Sequence, residues 1–187
     1  MSEQFSRCGW VKLSEPIYVA YHDEEWGKPL HNDQALFELF SLETQSAGLS
    51  WLTILKKREG YRNAFAHFML EKVARMGEMD VERILQEGEV IKSRPKIEAI
   101  IHNAKLFEAI KKEFGSLDNY FWRYVDGKTI MNDIPDYKTA PCTSSISDAL
   151  TKDLKKRGFK FVGSTTLYAF MQACGMVNDH ENSCGCK

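Results

Sequence analysis

The stretch "SISDALTKDLKKRGFKFVGSTTLYAFMQACG", residues 145–175, decides the fold. It reads as a helix, a stop at Gly158, a four-residue apolar turn, and a second helix opened by Gly163. Two glycines around so short a turn permit positive φ and close backbone approach. Past Gly163 the second helix presents unpaired N–H groups, with the hydroxyls of Ser164 or Thr165 beside them, a setting that favours an anion. Within it, "TKDLKKRGFKF" sets five cations (Lys152, Lys155, Lys156, Arg157, Lys160) against one acid, Asp153. A phosphate is the natural guest, with Gly158, Lys160, Gly163, Ser164 and Thr165 as its candidate contacts. A plainer reading stands beside this one. Basic residues gather at helix C-termini in general, and a glycine stop between two helices is common.

Outward from this stretch the pattern stays helical. Asn32 caps a helix expected to run to about Ala47. Ser50 caps the next, "WLTILKKREGYRNAFAHF". "SRPKIEAIIHNAKLFEAIKKEFG" has Pro95 in its first turn and Gly115 as its stop. "SLDNYFWRYVDG" gives another helix from Ser116 to Gly127, and "TIMNDIPDYKTAPCTSS" reads as a loop. No sustained two-residue alternation and no hairpin signal marks a strand. The expected fold class is all-α, one domain over residues 1–187, either a single body or two abutting helical lobes.

Composition narrows the function classes. Hydrophobic residues make up 43% of 187 residues, a globular proportion that excludes a disordered chain. No apolar run is long enough to span a bilayer, and "MSEQFSRCGW" is not a signal segment. The expectation is a soluble, cytoplasmic protein. Net charge is −1, so any attraction to nucleic acid must come from a local patch such as that around Gly158. The five Cys (8, 142, 174, 184, 186) are odd in number and unevenly spread, which suits buried thiols or metal ligands better than a disulfide framework.

One carboxylate stands on the wrong face. On a wheel of about 3.6 residues per turn, Gln34, Glu38, Ser41 and Gln45 share a polar side, while Leu36, Phe40, Glu43 and Ala47 share the apolar one. An ionised carboxylate is costly to bury alone. Glu43 therefore pairs with a buried cation or backbone donors, or it lines a pocket. Trp10, Tyr18, Tyr21, Trp26 and Trp51 lie near it in sequence, and three of the four Trp fall within the first 51 residues. They are either aromatic core or a box for a flat, cationic ligand edged by Glu43.

The chain ends offer metal chemistry. "HENSC" holds His180 and Cys184 four apart, and the start holds Cys8 in "RCGW" and His22 in "YHDEEWG". One Cys and one His from each end would complete a closed Cys2His2 site. Cys184 and Cys186 read equally as a redox pair or a polar tail.

"RCGW", "YVAYHDEEWG", "LFELFSLETQSAGLSW", "ILKKREGYRNAF", "ALTKDLKKRGFKFVGSTTLYAFMQACGMVNDH" and the trailing Cys together resemble DNA-3-methyladenine glycosylase I, a family of the helix-hairpin-helix glycosylase superfamily. The likeness runs from Arg7 to Cys184. The linker "VKLSEP" is one residue longer than the family pattern, and the tail stops soon after Cys186; neither touches a matched position. The resemblance implies an all-α, helix-hairpin-helix enzyme that flips out 3-methyladenine from alkylated double-stranded DNA and releases it by hydrolysis, leaving an abasic site. It implies one structural zinc ion on Cys8, His22, His180 and Cys184. Glu43 falls on the base-recognising, catalytic position, and Trp10, Tyr18, Tyr21, Trp26 and Trp51 fall on the base pocket. Residues 146–175 become the helix-hairpin-helix DNA-binding element. Asp179 lies where related enzymes of the superfamily place a catalytic Asp, yet this family is described as lacking it, so Asp179 is read either as a helix-end residue or as one that supports the metal ligand beside it, His180. No Lys stands out as a Schiff-base nucleophile, so no lyase activity is expected, and the protein is expected to act as a monomer. The rival reading is a zinc-stapled helical DNA-binding module without catalysis.

Overall fold

The computed structural model describes residues 5–187; the polar start, residues 1–4, lies outside them. Ten α-helices carry the described chain: α1 Pro16–Glu24, α2 Asp33–Gln45, α3 Trp51–Leu55, α4 Arg58–Ala64, α5 Leu70–Val73, α6 Glu78–Glu87, α7 Arg94–Phe114, α8 Leu117–Trp122, α9 Ser145–Lys156 and α10 Ser164–Ala173. The anticipated caps form. Asn32, Ser50 and Ser116 each accept a backbone N–H of the first turn, and Gly115 ends α7 at φ 87°. Helices α1, α5 and α6 carry too short an apolar pattern to be anticipated; α1 buries only Tyr21 and His22.

Two expectations need correction. The helix from Ser50 is not continuous. It breaks at Lys56–Lys57 and resumes as α4, and this turn lets Tyr61 and Ala64 reach the core while Arg58 and Arg62 reach Glu38. Beyond Gln34, which stays exposed, the polar side of α2 does not face water either. Leu36 through Gln45 are all buried, because α7, α8 and α10 pack against α2. Glu38 is held by Arg58 (2.6 Å) and Arg62 (2.8 Å), and Gln45 by Tyr61 Oη (3.1 Å) and the Lys96 carbonyl (3.0 Å). Those partners satisfy polar groups that burial would otherwise penalise.

Aromatic rings fill the centre. Phe40 of α2 meets Phe107 of α7 with ring centroids 4.8 Å apart, Phe107 meets Phe159 at 4.8 Å, and Phe121 of α8 meets Phe170 of α10 at 4.8 Å. Tilted and edge-to-face contacts of this kind add about 0.5–1.5 kcal/mol each beyond burial.

Within the segment read as a loop, Ile130–Met131 (β1) pairs in parallel with Val177–Asn178 (β2), Ile130 opposite Val177. This short ladder fixes the strand that leads into Asp179 and His180. Just before it, Gly175 has φ 76°, and a Cβ there would stand 2.3 Å from the Lys28 carbonyl carbon. Only glycine lets the end of α10 sit this close to the N-terminal segment.

Candidate active site and metal clasp

Both chain ends converge on one buried cluster. The donor atoms of Cys8, His22, His180 and Cys184 all lie within 4.8 Å of one another. Cys8 Sγ is 3.4 Å from His180 Nδ1, and Cys184 Sγ is 3.5 Å from both His180 Nδ1 and His22 Nε2. Metal–sulfur bonds of about 2.3 Å and metal–nitrogen bonds of about 2.0–2.1 Å, set tetrahedrally, give S···N edges of about 3.5 Å. The residues fit one metal ion. The outer nitrogens are also engaged: His180 Nε2 donates to the Trp26 carbonyl (2.9 Å), and His22 Nδ1 to Asp23 (2.7 Å). Such bonds fix which ring nitrogen faces the metal. The Arg7 guanidinium grips Asp23 and, ahead of His22, holds its carboxyl down at about 2. Backbone N–H groups of Glu181 and Cys186 donate to the sulfurs of Cys8 and Cys184. Burial pushes the Cys8 thiol up to about 12 and the His180 imidazole down to about 4. The interior thus favours a neutral imidazole ligand and leaves a Cys8 thiolate in need of a neighbouring cation. Cys186 stays outside this set, half-buried, its sulfur 3.9 Å from His22 Nδ1 and from Asp23.

Beside the cluster opens a cavity of about 240 Å³. Trp10, Tyr18, Tyr21, Trp26 and Trp51 all line it, and Glu43 is in its wall. Helix α1 supplies the two Tyr, and the first residue of α3 supplies Trp51. Trp10 packs against Tyr18 and Trp26 with centroids 5.1 and 5.0 Å apart, and Tyr21 against Trp51 at 5.4 Å. Glu43 is buried, and among the described residues its carboxylate has no ion pair and accepts no hydrogen bond. Of the alternatives open from sequence, it lines a pocket. Desolvation alone pushes its carboxyl up to about 8.

The turn between α9 and α10 is clamped from α7. Asn103 donates to the Lys160 carbonyl (3.0 Å) and accepts from the Lys160 N–H (2.9 Å), while His102 meets the Gly158 carbonyl at 2.8 Å. Gly158 takes φ 92°, as expected. Gly163 does not use positive φ: it is extended at φ −150°, and Phe161 takes the left-handed conformation instead. The Ser164 hydroxyl donates to the exposed Asp148 (2.5 Å), and Arg157 is paired with Glu113 and Asp153. Lys152, Lys155, Lys156 and Lys160 remain exposed.

Residues 10–187 match the family model described as methyladenine glycosylase. The chain belongs to the methyladenine glycosylase family. It is 49% identical to the DNA-3-methyladenine glycosylase of Haemophilus influenzae, over 97% of this chain and 98% of that protein. It is likewise 49% identical to DNA-3-methyladenine glycosylase 1 of Escherichia coli, over 96% of each. A solved structure of 3-methyladenine DNA glycosylase I from Staphylococcus aureus superposes with a TM-score of 0.93 at 39% identity, covering 97% of this chain and 96% of that one. The fold is thus the helix-hairpin-helix glycosylase bundle, and the protein is an enzyme, an N-glycosyl hydrolase.

The pocket of this methyladenine glycosylase also holds residues that sequence reasoning did not assign to it: Tyr137, Ala140, Ala169, Gln172 and Asp179. Asp179 is not merely a helix-end residue, since it faces the cavity. Its carboxylate accepts from Tyr168 Oη (2.7 Å), Gln172 Nε2 (2.9 Å) and Asn132 Nδ2 (2.7 Å). A spacing signal was available for two of these: Ala169 and Gln172 lie three apart on α10 and so share a face.

Proposed function

We propose that the protein hydrolyses the N-glycosidic bond of 3-methyladenine in alkylated double-stranded DNA, leaving an abasic site and free 3-methyladenine, without lyase activity. The observation that carries this reading is Glu43, a buried carboxylate with no partner cation among the described residues, set in a pocket of electron-rich rings. Methylation at N3 makes adenine cationic and weakens its bond to deoxyribose, so a strong general acid is unnecessary. The enzyme has to extrude the base and hold it. Trp10, Tyr18, Tyr21, Trp26 and Trp51 offer π faces to a cationic purine, and Glu43 accepts from its exocyclic amine and favours its charge. Exclusion of water strengthens both effects.

The turn from Gly158 to Thr165 is the phosphate grip, with Lys160 and the free N–H groups of Gly163, Ser164 and Thr165 as its donors. The ion in the clasp is one structural zinc, as a closed Cys2His2 set selects. Its place is to pin the N-terminal aromatic segment against α10, with no part in the chemistry. The enzyme acts as a cytoplasmic monomer of one domain.

Base release from methylated duplex DNA, with the products separated, tests the reading. Release of 3-methyladenine with little 7-methylguanine supports it. Tight DNA binding with no release would favour the non-catalytic zinc module instead.

A further inference from the structure

The turn between α9 and α10 carries one side chain that the fold itself does not use. Phe161 sits at φ 56°, in the left-handed region. For a bulky residue that conformation costs on the order of 1–2 kcal/mol. Little burial offsets it: the residue is 38% exposed and is not among the buried residues of the core. Phe159 and Val162, on either side, do the packing.

The surroundings state what the ring faces. Lys155, Lys156 and Lys160 are exposed beside it, with no ion pair among the described residues. The N–H groups of Val162, Gly163, Ser164 and Thr165 have no protein acceptor there either. The platform is rigid, since Asn103 holds both polar backbone atoms of Lys160, the preceding residue. From Ser164 helix α10 rises about 12 Å to the pocket residue Gln172, at 1.5 Å per residue. A stiff, strained aromatic is therefore held out among phosphate-binding groups, within one helix length of the base pocket.

We infer that Phe161 packs against the deoxyribose face of the DNA backbone next to the phosphate held by this turn, and so seats the duplex for base extrusion. Deoxyribose is the apolar part of a backbone whose phosphates the lysines and free N–H groups recognise, so one partner matches both halves of the surface. The inference rests on the glycosylase reading and adds a contact made by apolar packing rather than by charge.

Excision from methylated duplex DNA by Phe161→Gly, Phe161→Leu and Lys160→Ala tests it. Glycine adopts φ 56° without strain, so the melting temperature of Phe161→Gly should equal or exceed that of the wild type. Its KM for duplex should rise at least about fivefold, the lower end of what an aromatic contact to nucleic acid contributes, while kcat and binding of free 3-methyladenine hold. Phe161→Leu should recover part of the loss. The salt dependence should stay that of the wild type in Phe161→Gly, whereas Lys160→Ala should lower its slope by about one. A folded Phe161→Gly protein whose KM lies within about twofold of wild type would overturn the inference, since an aromatic contact is worth more than that. A wild type that binds duplex but releases no base would overturn the glycosylase reading instead.

Discussion

Tyr21 and His22 are neighbours on α1, and they serve two sites built on opposite rules. His22 enters a cluster where each ring nitrogen and each sulfur has a partner 2.7–3.5 Å away. Tyr21 enters a cavity where a carboxylate is left with none. A polar set whose members satisfy one another, and whose outer atoms are satisfied in turn, is built to hold a structure. A polar group buried among rings and left alone is built to hold something that arrives later. The contrast separates stability from function across a single peptide bond.

The largest expected effect would break the first half of that contrast. Cys8→Ser, His180→Ala or removal of the metal by a chelator should cost on the order of 5 kcal/mol of stability, given the binding energies of structural metal sites of this kind. Thermal melting with metal analysis checks it: metal content and melting temperature should fall together, and activity only through them. A metal-free protein that melts like the wild type, or a His180→Ala protein that loses catalysis alone, would remove the structural reading of the clasp.

Next comes the pocket. Glu43→Gln should slow excision about 10²–10³-fold, the scale of losing one preorganised electrostatic group, and bind free 3-methyladenine poorly. Its stability should move the other way. The Glu43 carboxyl is raised from 4.5 to about 8 in the fold, so the native state binds the extra proton and loses stability as pH rises through that interval. The melting temperature of Glu43→Gln relative to wild type should therefore climb from about pH 5 to about pH 8. A flat difference across that range would return Glu43 to the class of ordinary core residues.

The smallest effect sharpens the comparison at the turn between α9 and α10. Asn103→Ala removes two hydrogen bonds to Lys160 and should cost about 1–3 kcal/mol. It should raise KM for duplex DNA while leaving affinity for free 3-methyladenine unchanged. Equal losses on both would mean that α7 supports the base pocket rather than the backbone grip.

Much of this was legible before any coordinates. Caps and stops at Asn32, Ser50, Pro95, Gly115, Ser116 and Gly158 act locally, so the sequence announces them. Glu43 was legible because a carboxylate in an apolar stripe contradicts the pattern around it. Glu38 was not. It fits a polar face, and only Arg58 and Arg62, 20 and 24 residues away, make its burial tolerable. The pocket role of Asp179 was hidden for a related reason. Its orientation depends on Tyr168, on Gln172 and on Asn132, which the β1–β2 ladder brings across from a segment that reads as loop. Where a side chain's environment is set by its own turn, sequence suffices; where a remote charge or strand sets it, sequence is silent.

The clasp also imposes an order of events. Cys8 and His180 are 172 residues apart, so the contact closes nearly the longest loop this chain can make. Loops of that length cost about 5 kcal/mol of chain entropy to close, and such contacts form late in folding. During synthesis Trp10, Tyr18, Tyr21 and Trp26 emerge early and can pack on one another and on Trp51, but the side of the pocket made by α10 and Asp179 follows only with the last of the chain. The base pocket is therefore the last part of the enzyme to exist. Metal supply during growth should set how much of the newly made chain becomes active, and not only how long the finished enzyme lasts.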